Sequence, residues 1–317
     1  MALARELPKT LGEALSAAKQ FLARSPALVR RGSVDAEAEL IVAAAYRQAG
    51  LGELRRIDLY SRLGEPIGDR VGGRVLSMAS SRAGGKILQH LTGTQFFLEH
   101  EYEVSPAVLV PRPETEILAA VALEHLGAAP PSRGLEVGLG SGILSIELLA
   151  RLPRLEMLAS EWSDAAAAVA ESNARRILGA GGAGGEGASR LRRVKPATAL
   201  EVLEPLVAAL GGERADFLIS NPPYVVKEGG DEELDAEVRD QEPHEALFAP
   251  PEDALHFYRE IALKADRALK PGAPVFLELP SERAFVILTL FERPGWREPK
   301  LLKDLNGRDR VLVAILK

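Results

Sequence analysis

Two segments of the sequence carry residues whose types and spacing could do chemistry. The first is Asn221-Pro222-Pro223-Tyr224, directly after the apolar run Phe-Leu-Ile-Ser. Two consecutive prolines fix the backbone and remove two amide donors, so the carbonyls there can only accept hydrogen bonds. The Asn221 side-chain oxygen and the Pro222 carbonyl can accept both hydrogens of a planar NH₂ group, beside an aromatic wall from Tyr224. The pattern predicts a site that orients an amide or amine nitrogen; the alternative is a Pro-Pro loop terminator.

The second segment is glycine-rich, Glu136-Val137-Gly138-Leu139-Gly140-Ser141-Gly142, and again follows an apolar run. Glycines let a backbone approach NAD, FAD or S-adenosylmethionine closely, or they serve only a tight turn. The spacing departs from the dinucleotide fingerprint and favours S-adenosylmethionine, which needs no pyrophosphate cradle. Glu161 follows about 20 residues on, where an acid can bind both ribose hydroxyls. The alternative for Glu161 is a solvated acid at a strand end.

The first quarter of the chain predicts helices only. Thr10-Leu11-Gly12-Glu13 has the spacing of a capping box, in which Glu13 returns the bond to Thr10, before a helix to about Arg24. Ser33 can cap a second helix, and residues 69–82 predict a third. Because no strand pattern precedes residue 85, we expect a small helical bundle that serves stability or partner docking.

From Leu91 onwards, short aromatic and β-branched runs around a polar turn predict a β-hairpin. Strand and helix patterns then alternate, which predicts a mostly parallel, doubly wound sheet. Its seven strands are expected at residues 134–138, 156–161, 191–194, 217–220, 274–279, 297–302 and 310–315. The last two lack a helix between them and should pair antiparallel at one edge. The glycine-rich residues 179–188 predict a flexible surface loop.

The composition bounds the function. The 317 residues, 46% hydrophobic and 26% charged, indicate an ordinary globular protein of two domains. The absence of cysteine excludes disulfide scaffolds and thiolate chemistry, and the five histidines show no ligand spacing, so we expect no metal. A net charge of −6 argues against direct nucleic-acid binding. No segment predicts secretion or a membrane span, so we expect a cytoplasmic monomer.

Both segments resemble those of amino-methyltransferases that use S-adenosylmethionine, and further blocks narrow the resemblance. Residues 110–116 (Val-Pro-Arg-Pro-Glu-Thr-Glu), 242–248 (Glu-Pro-His-Glu-Ala-Leu-Phe) and 304–310 (Asp-Leu-Asn-Gly-Arg-Asp-Arg) are similar to blocks of the bacterial release factor glutamine methyltransferases, the HemK or PrmC family. Residues 35–40 extend the match into the helical part, so it covers nearly the whole chain. The ribosomal-protein glutamine methyltransferases are close relatives, but Arg-Pro-Glu-Thr-Glu favours the release factor branch.

The resemblance implies a Rossmann-like class I S-adenosylmethionine-dependent methyltransferase fold of the α/β class. Its seven-stranded mixed sheet has an antiparallel last strand, and a β-hairpin joins it to an N-terminal helical bundle. We therefore expect a helical substrate-docking domain at residues 1–87, a β-hairpin linker at 88–110 and a methyltransferase domain at 111–317.

The implied activity is methyl transfer from S-adenosylmethionine, leaving S-adenosylhomocysteine. The acceptor is the side-chain nitrogen of the glutamine in the Gly-Gly-Gln loop of class I release factors, and the reaction supports translation termination. The catalytic residues would be Asn221, Pro222 and Tyr224, and the substrate would also contact Pro223, Arg112 and Glu114. The residues expected to bind the cofactor are Glu136, Gly138, Leu139, Gly140, Ser141, Gly142, Glu161, Trp162 and Asn221. Alternatively, Arg112, Glu114 and Glu116 serve only the helix that follows them.

The sequence also departs from the family pattern. Glu136 and Glu161 stand where Asp is more usual, and Trp162 is unexpected. Residues 195–200 lack the Asp and large apolar residue expected against adenine, so they assign no adenine contact. Two other functions stay open: a DNA amino-methyltransferase, disfavoured by the acidic balance, and a catalytically silent protein that binds release factors through its helical domain.

Overall fold

The structure, a computed structural model, describes residues 6–179, 187–226 and 235–317. The described chain divides into two compact units. The first comprises residues 6–94 with Ala236–Gln241, and the second comprises the remainder, Gln95–Asp235 and Glu242–Lys317. Most of the predicted loop at residues 179–188 lies outside the described residues. The functional limits expected at residues 87 and 110 stay predictions.

Fourteen α-helices, three short 3₁₀ helices and nine strands occur in the described residues. The helices are α1 (Leu11–Leu22), α2 (Pro26–Arg31), α3 (Val34–Gln48), α4 (Arg56–Ser61), α5 (Asp69–Ala83), α6 (Leu88–Thr92), α7 (Pro113–Gly127), α8 (Ile143–Arg151), α9 (Asp164–Leu178), α10 (Glu204–Leu210), α11 (Ala236–Gln241), α12 (His244–Leu247), α13 (His256–Lys264) and α14 (Ala284–Phe291). The strands are β1 (Thr94–Phe97), β2 (His100–Glu103), β3 (Arg133–Val137), β4 (Glu156–Ser160), β5 (Leu191–Val194), β6 (Phe217–Ser220), β7 (Pro274–Glu278), β8 (Trp296–Lys303) and β9 (Asp309–Leu316). None of the described helices is long and apolar enough to cross a membrane.

Helices α1, α3 and α5 form the core of the first unit through their apolar stripes. Thr10 caps α1 as predicted, with its hydroxyl accepting from the Glu13 amide at 3.2 Å. Glu13, however, returns its bond to the amide of Lys9, at 2.7 Å, and not to that of Thr10. The predicted cap at Ser33 is wrong. Because Ser33 follows the left-handed Gly32 in a helical conformation, its hydroxyl is not aimed at the amides of α3 and is buried without a partner among the described residues.

A buried arginine holds α11 in the first unit. Arg82, on α5, is 4% exposed. Its Nε lies 2.6 Å from a carboxylate oxygen of Glu37, and its Nη1 lies 2.8 Å from one of Glu237 on α11. The Gln241 side chain adds a hydrogen bond to the carbonyl of Gly85, at 2.7 Å. Residues 236–241 therefore belong with helices far from them in sequence, which the sequence pattern did not predict.

The second unit is built on a seven-stranded sheet of order β5-β4-β3-β6-β7-β9-β8. The first five strands are parallel, and β9 is antiparallel to both β7 and β8, which confirms the predicted mixed sheet. Side chains alternate between two cores: Leu135 and Leu218 pack with α10, α13 and α14, whereas Phe217 and Ile219 pack with α7, α8 and α9. The carboxyl ends of the parallel strands meet at one edge, where both segments singled out above begin.

The predicted hairpin forms, but it is shorter than expected. Strands β1 and β2 make a two-stranded sheet, whereas residues 88–92, which we assigned to the hairpin linker, form helix α6. At the turn, Leu98 has a positive φ of 50°, and its amide donates to a Glu116 side-chain oxygen at 3.0 Å. Glu116 therefore supports the hairpin turn.

Replacing Arg82 with Met is expected to destabilise the first unit by about 3 to 5 kcal/mol, because Glu37 would stay buried without a cation. Hydrogen exchange read by mass spectrometry should show lost protection in α3, α5 and α11. The matched control is Arg55→Met, which removes an exposed pair with Asp58 and should cost less than about 1 kcal/mol. Equal protection in the two variants would contradict the anchoring role of Arg82.

Candidate functional site

A cleft of about 1040 Å³ opens in the second unit at the carboxyl edge of the sheet. Residues from both predicted segments line it, together with residues that follow β4. The predicted site residues that line it are Glu136, Gly138, Leu139, Gly140, Ser141, Glu161, Trp162, Asn221, Pro223 and Arg112. Those outside its lining are Gly142, Pro222, Tyr224 and Glu114. The structure thus brings most of the predicted residues together, while their individual roles stay predictions.

The glycine loop, residues 138–142, carries the chain from β3 into α8. Gly138, Gly140 and Gly142 all have positive φ, at 79°, 54° and 86°, a region that favours glycine. A Cβ on Gly142 would lie 2.8 Å from the Ile146 side chain, so this glycine also permits the packing of α8. No atom lies within 4 Å of a Cβ built on Gly138 or Gly140. These two glycines leave bare backbone facing the cleft.

Glu161 joins the ends of β3 and β4. One carboxylate oxygen accepts from the Gly140 amide at 2.9 Å, and the other accepts from the Ser163 amide at 2.8 Å. Burial raises the pKa of Glu161, and these two amide bonds oppose that rise. Each carboxylate oxygen can accept a further bond, so the predicted contact with two ribose hydroxyls remains chemically possible.

Asn173, on α9, supports the glycine loop from behind and was missed by the sequence analysis. Its side-chain nitrogen donates to the carbonyls of Ser141 and Glu103, each at 3.0 Å. Its side-chain oxygen accepts from the Glu103 amide at 2.7 Å. It therefore ties the loop to strand β2. The available signal was an amide side chain placed on the apolar stripe of a helix.

Glu136, on β3, is buried against the first turn of α8. Its carboxyl oxygen Oε2 accepts from the Ser145 amide at 3.2 Å and also from the Ser145 hydroxyl. Burial raises the pKa of Glu136 to about 8, although both of these bonds lower it. The carboxyl group is therefore mostly neutral at pH 7 and can donate a hydrogen bond as well as accept one.

Asn221 follows β6 and is oriented by a hydroxyl that the sequence analysis did not identify. Its Nδ2 lies 3.2 Å from Oγ1 of Thr115, which is 1% exposed in the first turn of α7. Because Nδ2 is used in this bond, the Asn221 side-chain oxygen is left for a donor in the cleft. Pro222 is buried beside it, and the Tyr224 carbonyl accepts from Arg283 at 3.0 Å.

Arg112 lines the cleft as an ion pair. Its Nη2 lies 2.5 Å from Oε2 of Glu242, whose other oxygen accepts from the Val110 amide at 3.0 Å. Burial raises the pKa of Glu242, and the neighbouring guanidinium lowers it. Arg112 is also the N-cap residue of α7 by its position and extended backbone, although its side chain makes no cap hydrogen bond to the helix. The contacts of Glu242 with Arg112 and with the Val110 amide fix the segment that precedes α7. The Glu242 carboxylate also neutralises the charge of Arg112.

Another part of the wall combines Trp162, which we expected to bind the cofactor, with residues that the sequence could not assign. Trp162, which is 42% exposed, lines the cleft together with Pro196, Ala199, Glu201 and Phe257. A carboxylate oxygen of Glu201 accepts from the Ala197 amide at 2.7 Å. Aromatic faces beside a carboxylate suit a planar heterocycle that bears an amino group.

With the bare glycine backbone and Glu161, this wall gives the cleft a chemistry that fits S-adenosylmethionine. Trp162, Glu201 and Phe257 would hold the adenine, and Glu161 would hold the ribose. Within the described ranges, no group of three or more metal-ligating side chains could hold a metal ion.

Glu136→Gln is expected to make thermal stability less dependent on pH. The folded pKa of about 8 lies above the ordinary value of 4.5, so the contribution of the neutral carboxyl is full below 4.5 and is lost as the pH rises through 8. Glutamine keeps an acceptor for Ser145 and cannot ionise. Melting temperatures measured across this window should fall less in Glu136→Gln than in Glu156→Gln, an exposed control on the same sheet. Parallel curves would contradict the raised pKa.

Comparison with known proteins gives concordant matches, although no family model matches the chain. The sequence is 34% identical over 264 residues to the release factor glutamine methyltransferase of Geobacter sulfurreducens, covering 83% of this chain and 85% of that one. It is 30% identical over 299 residues to the enzyme of the same name from Burkholderia pseudomallei, covering 94% and 98%.

Among solved structures, the release factor-specific protein-(glutamine-N5) methyltransferase from Alicyclobacillus acidocaldarius matches with a TM-score of 0.42 and 25% identity, over 68% of this chain and 99% of that one. The observed seven-stranded mixed sheet and the two curated methyltransferases confirm the predicted fold, with S-adenosylmethionine as its cofactor. By the extent and identity of these matches, the chain belongs to the release factor glutamine methyltransferase family.

Proposed function

We propose that this chain transfers a methyl group from S-adenosylmethionine to the side-chain amide nitrogen of the glutamine in the Gly-Gly-Gln motif of class I peptide chain release factors. The observation that carries the proposal is the orientation of Asn221. Its nitrogen is bonded to Thr115 at 3.2 Å, so its oxygen is available to an NH₂ group in the cleft. The names of the relatives support the same substrate.

The chemical difficulty is that an amide nitrogen is a poor nucleophile, because its lone pair is delocalised into the carbonyl. S-adenosylmethionine supplies a methyl group on a positively charged sulfur. The Asn221 side-chain oxygen and the Pro222 carbonyl would accept the two N–H bonds of the glutamine and fix the plane of its amide. The nitrogen would become positively charged as the methyl group leaves the sulfur, which keeps the bonding electron pair, and would be neutral again after releasing one proton to water. Two acceptor oxygens stabilise that charge, as the donors of an oxyanion hole stabilise a negative one.

The charges at the cleft favour a neutral amide over a nucleic acid. Arg112 is the one lysine or arginine among the described residues that line the cleft, and Glu242 neutralises it at 2.5 Å. Binding of a phosphate backbone relies on cations that are free to displace counterions. We therefore rank a DNA amino-methyltransferase below the glutamine enzyme.

The proposal also covers the binding partner, the oligomeric state and the location of the protein in the cell. The helical first unit would dock the release factor, since the residues that line the cleft all lie in the second unit. We propose that the chain acts as a monomer in the cytoplasm, without binding nucleic acid directly. The ribosomal-protein glutamine methyltransferase and the catalytically silent binding protein are the outcomes that the next experiment separates.

Incubation of a purified class I release factor with this protein and S-adenosylmethionine is expected to add one methyl group to the factor. Intact-mass analysis would measure the addition. A factor whose Gly-Gly-Gln glutamine is replaced should gain none, because the acceptor nitrogen is absent. A methyl on both factors would place the reaction at another residue. A methyl on neither, with S-adenosylhomocysteine binding seen in calorimetry, would overturn the proposed substrate, and no binding would favour the silent protein.

Asn221→Ala is expected to lower the single-turnover rate at least about 10²-fold, because it removes one of the two acceptors for the reacting NH₂ group. Affinity for release factor should change little. Rapid-quench methylation measures the rate, and circular dichroism checks the fold. Asn306→Ala, at the exposed turn between β8 and β9, is the matched control. A normal rate in Asn221→Ala would exclude the proposed role.

A further inference from the structure

One buried carboxylate beside the cleft is used by no step described so far. Glu278 is the last residue of β7 and is 2% exposed. Strands β6 and β7 pair in parallel with Ser220 opposite Leu277, so Glu278 lies level with Asn221. The Tyr258 hydroxyl donates to the Glu278 backbone carbonyl at 2.8 Å, which fixes the end of the strand.

The Glu278 carboxylate is close to two hydroxyls and two charged groups. Burial raises its pKa to about 7, and the side chains of Thr115 and Tyr224 lower it by hydrogen bonding. The Arg310 guanidinium also lowers this pKa, whereas the Glu114 carboxylate raises it. Its Oε2 atom is buried without a hydrogen-bond partner among the described residues. An ionised carboxylate here can only accept hydrogen bonds.

The number of hydrogen bonds that the Thr115 hydroxyl can donate and accept links this carboxylate to Asn221. A threonine hydroxyl has one proton to donate and two lone pairs that accept. The NH₂ group of Asn221 can only donate, and it lies 3.2 Å from the Thr115 oxygen. Thr115 must therefore accept from Asn221 and point its own proton elsewhere. Phe276, two residues before Glu278 on β7, packs in one core with Leu118 of α7, so the Glu278 side chain lies on the face of the strand that α7 covers. The Glu278 carboxylate can therefore accept the proton of Thr115, in the first turn of α7.

Protonation of Glu278 would remove this constraint. A neutral carboxyl group can donate to Thr115, and the Thr115 proton is then free to turn towards Asn221. In that arrangement the Thr115 hydroxyl can donate to the Asn221 side-chain oxygen instead of accepting from its nitrogen. The side-chain amide of Asn221 can then rotate by 180°, which exchanges its oxygen and nitrogen. A flipped Asn221 presents NH₂ to the cleft, where an acceptor for the substrate is required.

We propose that Glu278 is a positioning residue for methyl transfer: its carboxylate takes the Thr115 proton, so Thr115 accepts from Asn221 and turns the Asn221 oxygen towards the substrate amide. The effect of Glu278 on catalysis rests on the proposed function given above. The hydrogen-bond chain itself requires no release factor, so it can be tested separately.

Nuclear magnetic resonance can follow the chain directly, because the sequence has three asparagines, at positions 173, 221 and 306. Selective ¹⁵N-asparagine labelling gives three side-chain NH₂ pairs, and Asn221→Asp identifies the pair of Asn221 by its absence. In the wild-type protein this pair is expected to shift with a midpoint near pH 7. In Glu278→Gln the titration should disappear. In Thr115→Val the shift should be less than half as large, whereas Thr115→Ser should retain it.

Kinetics supply the second readout. Glu278→Leu, which removes every acceptor at this position, and Thr115→Val should each lower kcat about 10-fold with little change in the KM for release factor, because orientation and not binding is lost. Thr115→Ser should restore most of the rate. If Glu278 acts only through Thr115, the double variant should be no slower than Thr115→Val alone. Melting temperatures show whether each variant is folded.

The outcomes separate this proposal from the proposed function. A titrating Asn221 amide in a protein that methylates no release factor would refute the substrate and support the hydrogen-bond chain. Methylation with an Asn221 amide that does not titrate, or that titrates equally in Glu278→Gln, would overturn the role of Glu278. Rate losses that multiply in the double variant would also overturn it, since Glu278 would then act independently of Thr115.

Discussion

The parallel register of four neighbouring strands is the constraint on which the site depends. Val137 of β3 lies opposite both Ser160 and Ser220, and Ser220 lies opposite Leu277. The residue after each of these four positions is one that the cleft or its support uses: Gly138, Glu161, Asn221 and Glu278. A slip of one residue in any pairing would turn the side chains of that strand to the opposite core. It would also move that strand's residue of these four out of line with the other three. Packing on both faces of the sheet therefore sets the geometry of the site.

Buried carboxyl groups surround the cleft, and each is matched to a different kind of partner. Glu136 has a serine, Glu161 has two backbone amides, Glu242 has Arg112, and Glu278 faces hydroxyls. Burial raises the pKa of all four, but among the residues that the structure describes only Glu242 has a cation within ion-pair distance. The local partners of each carboxyl group thus decide whether it is charged at neutral pH. The formal net charge of the chain, which counts every carboxyl group as ionised, does not show this difference.

The sequence predicted those features that depend on local pattern. The strands of the large sheet were located within a residue or two, and the central ones are short apolar runs that end at a glycine or a polar residue, as β6 does at Ser220. Features that depend on distant partners were not predictable. Thr115 meets Asn221 across 106 positions, and Val110 meets Glu242 across 132. At Ser33 the local pattern itself was misleading. Serine is a favourable residue type for a helix cap, but the preceding turn places Ser33 in a helical backbone conformation, from which its hydroxyl makes no cap hydrogen bond.

The membership of α11 in the first unit bears on the order in which the chain can fold during synthesis. Arg82 and Glu237 are separated by 155 positions, with most of the parallel sheet between them. At roughly 5 to 20 residues per second, a ribosome needs on the order of ten seconds or more to add the second partner after the first. Until then, Arg82 has only Glu37 as a carboxylate partner. The amino-terminal helices therefore reach their final set of contacts after strands that follow them in the sequence have already been made.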